Sequence, residues 1–152
     1  MELIKKYKNY IIIALCALAL ISLFLPMATI TAENEYADSS QSVTGFTIAF
    51  SRYYPILLIL GPIALAISEY LPQLKPYKKR LTLAVPVVCI IITVISLLTA
   101  SSVASAFDSE YADVSSSIGI GAILGIIAHL GIGILGFLDN KEEIMELTKK
   151  SK

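Results

Sequence analysis

The stretch IGIGAILGIIAHLGIGILGFL, residues 118–138, decides what kind of protein this is. Its 21 residues include no Asp, Glu, Lys or Arg. At 1.5 Å rise per residue a helix of that length covers roughly 30 Å, the thickness of a bilayer's hydrocarbon core. The segment therefore reads as a membrane span. Elsewhere in the chain three further stretches are apolar over similar lengths, with Glu69 as their one charged residue: Tyr10–Ile30, Tyr53–Leu71 and Leu81–Thr99. Lipid offers no hydrogen bonds to a bare backbone, so all four are expected to be helices.

The charges between these spans give an orientation. Lys5, Lys6 and Lys8 precede the first span, Lys75, Lys78, Lys79 and Arg80 fall between the second and third, and Lys141, Lys149, Lys150 and Lys152 follow the fourth. The two other connections, 31–52 and 100–117, carry Glu33, Glu35, Asp38, Asp108, Glu110 and Asp113, with Arg52 as their one basic residue. Lys and Arg are retained on the cytoplasmic side during insertion. Segments 1–9, 72–80 and 139–152 are accordingly expected in the cytoplasm and the two acidic connections outside, most simply at a plasma membrane. Tyrosines mark both boundaries and Trp is absent, so the interfacial belt is expected to be made of Tyr alone.

Composition agrees. With 56% hydrophobic residues in a chain of 152, the protein exceeds the ~45–50% of soluble domains. No polar segment is long enough to build a core of its own. The expected fold is an all-α integral membrane protein: one domain, 1–152, forming a left-handed four-transmembrane-helix bundle. Cys16 and Cys89 lie within spans and the outer connections hold no cysteine, which excludes a disulfide staple there. The first span also resembles a secretory signal, but Ile30 and Ala32 before Glu33 make a poor cleavage site, and a retained span is expected.

The outer connections share a tetrapeptide, Glu35-Tyr36-Ala37-Asp38 and Glu110-Tyr111-Ala112-Asp113. At the same offset Glu33 aligns with Asp108, Ser40 with Ser115 and Ser42 with Ser117. Two tandem helical hairpins, related by a pseudo-repeat axis along the membrane normal, are the expected origin. The six residues Glu35, Tyr36, Asp38, Glu110, Tyr111 and Asp113 are a candidate outer contact surface or cation site. No calcium-loop spacing with its glycine turn accompanies them, so no metal is assigned. Between Val43 and Tyr54, apolar residues recur at helical spacing, which predicts a short amphipathic helix at the outer surface or an outward extension of the second span.

The fourth span has the most unusual face. At 100° per residue, Gly121, Ala122, Gly125, His129, Gly133 and Gly136 share about a third of the helix circumference. Small residues let backbones approach closely, and close packing drives helix association in lipid. This face is expected to make the tightest helix contact, within the chain or between copies. His129 is the one ionisable group deep in a span. A gating or proton-relay role would use it, while a plain structural role needs only a hydrogen-bonding partner.

No catalytic motif is present: no Gly-x-Ser-x-Gly, His-Glu-x-x-His, phosphate loop or Cys-x-x-Cys, and one His in all. The four-helix outline is shared by claudin-like proteins, small multidrug transporters and fluoride channels. The residues that carry those families are missing, with neither paired loop cysteines beside an outer Trp nor an acidic residue inside the first span. The expected function is non-enzymatic and needs no cofactor. It is that of an accessory, assembly or signalling subunit, with membrane lipids and a membrane-protein partner or a second copy as its contacts, and no nucleic acid. The alternative is a homo-oligomeric channel or small transporter built around His129 and the glycine face.

Overall fold

The computed structural model describes residues 2–33, 38–51, 53–68, 70–108 and 113–150, with side chains omitted for 2–6, 75 and 142–150. The elements in chain order are α1 (Glu2–Ser22), β1 (Pro26–Glu33), β2 (Asp38–Thr44), α2 (Gly45–Ser51), α3 (Leu57–Ile67), α4 (Lys78–Phe107), β3 (Asp113–Ile118) and α5 (Ile120–Lys150). Short 3-10 turns at Tyr54–Ile56 and Lys75–Tyr77 lead into α3 and α4. The protein is mostly helical, and α4 and α5 contain segments long and apolar enough to cross a membrane, Lys78–Phe107 and Ile120–Lys141. The apolar parts of the other two helices, Tyr7–Ser22 and Tyr54–Ile67, are shorter.

The expectation of an all-α chain is corrected by a three-stranded antiparallel sheet of order β2-β1-β3. It is assembled from the end of the first predicted span and from both connections read as loops. Pro26 is the physical cause. It supplies no N–H, and helical pairing lapses over Leu23–Leu25, where the backbone turns through bonds such as Leu23 N–H to Leu20 O. The residues that follow include Thr29, Ile30 and Thr31, a β-branched run whose stiff side chains favour extended backbone. The helix predicted to reach Ile30 therefore ends at Ser22.

Other boundaries move for local reasons. The second predicted span, Tyr53–Leu71, holds only the 11 residues of α3 as α-helix. Pro55 opens it through a 3-10 turn, and beyond Ile67 the N–H groups of Tyr70 and Leu71 both turn back to Ile67 O. The third runs on from Thr99 to Phe107. The Ser102 and Ser105 hydroxyls each donate to the carbonyl four residues back, so polar residues expected in the connection satisfy themselves inside a helix. The fourth continues through Asn140 to Lys150 as one helix, and Asn140 Nδ2 donates to Gly136 O at 2.9 Å. The amphipathic segment after Val43 folds as α2.

α1 packs on α3 and α5, and α4 likewise on α3 and α5, so the four long helices close a ring. The sheet sits at the end where α1 and α4 finish and α3 and α5 begin. Two buried clusters fill the ring. Leu23, Met27, Leu58, Cys89, Ile92 and Ala122 lie toward the sheet, and Ile12, Cys16, Leu65 and Ile132 toward the other end. That far end is tied by an ion pair between Lys8 and Asp139 and by Lys78 Nζ donating to Asn9 Oδ1 at 3.0 Å.

Candidate contact surfaces on helix α5 and the outer sheet

The glycines of α5 face two different neighbours. A Cβ at Gly121 would lie 2.6 Å from the Ser22 carbonyl oxygen and 2.8 Å from that of Leu25. At Gly125 it would meet Ser22 Oγ at 3.1 Å. This upper part of α5 rests on the turn where α1 gives way to β1. Lower down the neighbour is α4, with Pro86 Cγ 3.7 Å from a Cβ at Gly133 and the Thr82 carbonyl oxygen 3.0 Å from one at Gly136. Pro86 has no N–H to offer the Thr82 carbonyl four residues before it, and the bare backbone of Gly136 closes on that carbonyl. At Gly121 and Gly136 a side chain would strike main chain, whereas Gly125 and Gly133 meet side-chain atoms of Ser22 and Pro86.

Between these two contacts sits His129, 4% exposed. Its Nδ1 lies 2.6 Å from Gly125 O, and since a carbonyl only accepts, Nδ1 is the donor. A neutral ring then carries a lone pair on Nε2, and Nε2 is buried with no hydrogen-bond partner among the described residues. The ring also borders an apolar cleft of about 370 Å³ between α4 and α5, with Leu83, Pro86, Ile90, Ile134 and Phe137 among its walls.

Outside the predicted set, Gly119 and Gly45 press on main chain, while Gly131, like Gly61, meets only side chains. Gly119 packs on the Pro26 carbonyl and donates its N–H to Met27 O at 2.9 Å, and a Cβ at Gly45 would lie 2.8 Å from Leu23 Cα. Gly131 faces Leu15, whose Cδ1 a Cβ would meet at 3.0 Å. Gly119 and Gly45 mark where chain leaves the sheet for a helix. A glycine next to a helix start was the available signal.

Of the acidic candidates, Glu35, Tyr36, Glu110 and Tyr111 lie outside the described residues. Asp38 and Asp113 do not touch each other's strands. Both pair with Glu33 of β1, one from each side. From there the two outer strands run in the same register: Ser40 and Ser115 face Thr31, Gln41 and Ser116 face Ile30, and Ser42 and Ser117 face Thr29. Among the described residues, no group of three or more His, Cys, Asp or Glu side chains is placed to hold a metal ion.

The outer rim carries an aromatic group built on α2. Phe46 meets Phe24 at a tilt of 47° with ring centroids 4.4 Å apart, and stacks on Phe50 at 6.2 Å. Phe24 and Phe50 are largely exposed and Tyr53 is 99% exposed. No family model matches the chain, and comparison with curated proteins and with solved structures gives no match.

Proposed function

We propose that the chain is a four-span membrane protein with its sheet outside and its termini and α3–α4 connection in the cytoplasm, most simply at the plasma membrane. In this reading it works as a non-catalytic accessory, assembly or signalling subunit, through contacts of the outer sheet and the helix faces. The observation that carries the reading is the apolar girdle around the ring of helices. Ile21, Leu60, Ile91, Leu98, Ile127 and Ile134, drawn from all four long helices, are exposed. Only 28% of the most apolar window of α4 and 39% of that of α5 is buried. A core helix of a soluble protein would bury most of such a window, and an exposed apolar surface this continuous demands another medium or partner. The girdle is bordered by Lys8 and Lys78–Arg80 at one end and by the polar sheet at the other, which suits cytoplasmic retention of the basic end. The shorter α1 and α3 are accommodated by local thinning of the bilayer.

A tandem-hairpin origin is supported by the packing order. Exchanging α1 with α4 and α3 with α5 maps the ring of contacts onto itself, as a rotation along the ring's axis would. A homo-oligomeric channel is the competing function, and the Nε2 of His129 on the glycine face, without a partner among the described residues, is the observation that favours it. The test is ion and solute flux into liposomes holding the purified protein, with its mass measured in detergent. The subunit reading expects flux equal to that of protein-free vesicles. Flux from the protein alone would replace it with the channel.

A further inference from the structure

α2 rests on the protein by one side and leaves an aromatic side and a polar side open. Gly45 and Ala49 are buried, and Phe46 N–H donates to Leu23 O at 3.0 Å where the helix begins. Phe46 and Phe50 share one flank, and Thr47 and Ser51 lie about 100° further round the helix. The aromatic flank continues onto Phe24, whose ring is tilted against that of Phe46. Phe24 and Phe50 are both largely exposed, yet the group is firmly rooted, because Phe46 also packs on the buried cluster that contains Leu23, Met27 and Leu58. The polar flank bonds within itself. The Thr44 and Thr47 hydroxyls lie 3.1 Å apart, Thr47 N–H donates to Thr44 Oγ1, and Ser51 Oγ donates to Ile48 O at 2.7 Å. From Ser39 to Ser51 the chain carries no charge.

We propose that α2 is an interfacial helix whose Phe24–Phe46–Phe50 face lies in lipid at the headgroup–acyl boundary, completing the apolar girdle at the sheet end of α3. The proposal rests on the membrane reading above, and three observations choose lipid as the occupant. The first is length. α3 is the shortest helix of the ring, and its apolar stretch Tyr54–Ile67 covers roughly 21 Å of a hydrocarbon core ~30 Å thick. α2 joins α3 at the end that falls short, through the 3-10 turn Tyr54–Ile56. The second is continuity. Phe24 follows the exposed Ile21 of the girdle by one turn, its N–H donating to the Ile21 carbonyl. The third is the pairing of the two open sides. Interfacial helices bury an apolar side ~5–10 Å into the boundary and keep a polar side toward water. Hydroxyls and N–H groups already bonded within the chain suit a layer where hydration is incomplete.

The chain contains no Trp, so a single introduced Trp reports its surroundings without background. The test places Phe50→Trp, Leu60→Trp and Gln41→Trp, one at a time, in the full chain reconstituted alone into liposomes. The liposomes contain phosphatidylcholine brominated at either shallow or deep acyl carbons, and Trp emission and its quenching are read. All three positions are exposed. Leu60 marks the middle of the girdle, since the neighbouring Gly61 faces Val85 and Cys89 of α4, and Gln41 on β2 marks water. Phe50→Trp is expected to emit to the blue of Gln41→Trp and to be quenched several-fold more by shallow bromines than by deep ones. Leu60→Trp is expected to show the reverse order. Emission from Phe50→Trp as red as from Gln41→Trp would overturn the proposal by placing the face in water, open to a soluble partner. Blue emission that neither lipid quenches would overturn it by showing that a second copy covers the face. Quenching strongest with deep bromines would overturn it by making α2 part of the span. Loss of quenching at Phe50→Trp alone defeats the placement of α2, whereas loss at Leu60→Trp as well defeats the membrane reading on which it rests.

Discussion

Asp38 and Asp113, 75 positions apart in the chain, flank the same residue, Glu33, from opposite sides of the central strand. Three carboxylates thus form one row across the end of the sheet. Like charges directly opposite each other destabilise a ladder, so this row costs stability in the chain by itself. The shared tetrapeptide visible in the sequence ends at these two aspartates, and the strands that follow it take the same register on β1.

Replacing Glu33 by Gln removes the middle charge of the row. The variant is expected to be more stable than the parent by up to ~1 kcal/mol, with the gain shrinking as salt is raised and screens the row. Thermal melting of the detergent-solubilised protein at two ionic strengths checks this. A loss of stability at low salt would mean that the row is neutralised by a counter-charge or bound cation.

The glycines of α5 should differ from one another in a calculable order. Gly121→Ala sets a methyl group against the Ser22, Leu25 and Pro26 carbonyls, all within 2.9 Å, and neither backbone can yield cheaply. A loss of ~1–3 kcal/mol is expected, as for overpacked cores. Gly133→Ala meets Pro86 at ordinary contact distance, 3.7 Å, and should be neutral or gain from the higher helix propensity of Ala. Ile127→Leu, at an exposed position, should be silent. Equal melting of all three would mean that the stripe is no packing surface.

Parts of this arrangement were legible in the sequence, and parts were not. The two long apolar helices stand out by hydropathy, because an uncharged run of that length has few other uses. The side of α5 shared by Gly121, Gly125, His129, Gly133 and Gly136 follows from helical periodicity alone. Which neighbours they meet does not, since Ser22 and Thr82 are brought there by long-range packing. The sheet was hidden for a different reason. β2 (DSSQSVT) and β3 (DVSSSI) have weak strand propensity and no alternating apolar face, and they become strands because β1 lies between them. β1 was itself masked by its hydropathy, which extends the first span smoothly past Pro26.

His129→Phe is expected to fold with stability equal to the parent or slightly above it. The substitution keeps the ring's bulk, gives up the local bond to Gly125 O, and removes a buried acceptor with no partner among the described residues, a group whose burial costs ~1–3 kcal/mol. His129→Ala should fare worse than Phe, because it empties space in a packed interface. Denaturant midpoints of the three proteins check the order. Destabilisation by Phe as severe as by Ala would show that Nε2 has a partner supplied from outside the chain.

The proposed topology sets the sheet and the α3–α4 connection on opposite sides of the membrane. The decisive measurement is impermeant maleimide labelling of Gln41→Cys and Lys75→Cys in intact cells and again after the membrane is opened. Gln41→Cys is expected to label in both conditions and Lys75→Cys only in the second. Labelling of Lys75→Cys from outside intact cells, or recovery of the protein in the soluble fraction, would contradict the account.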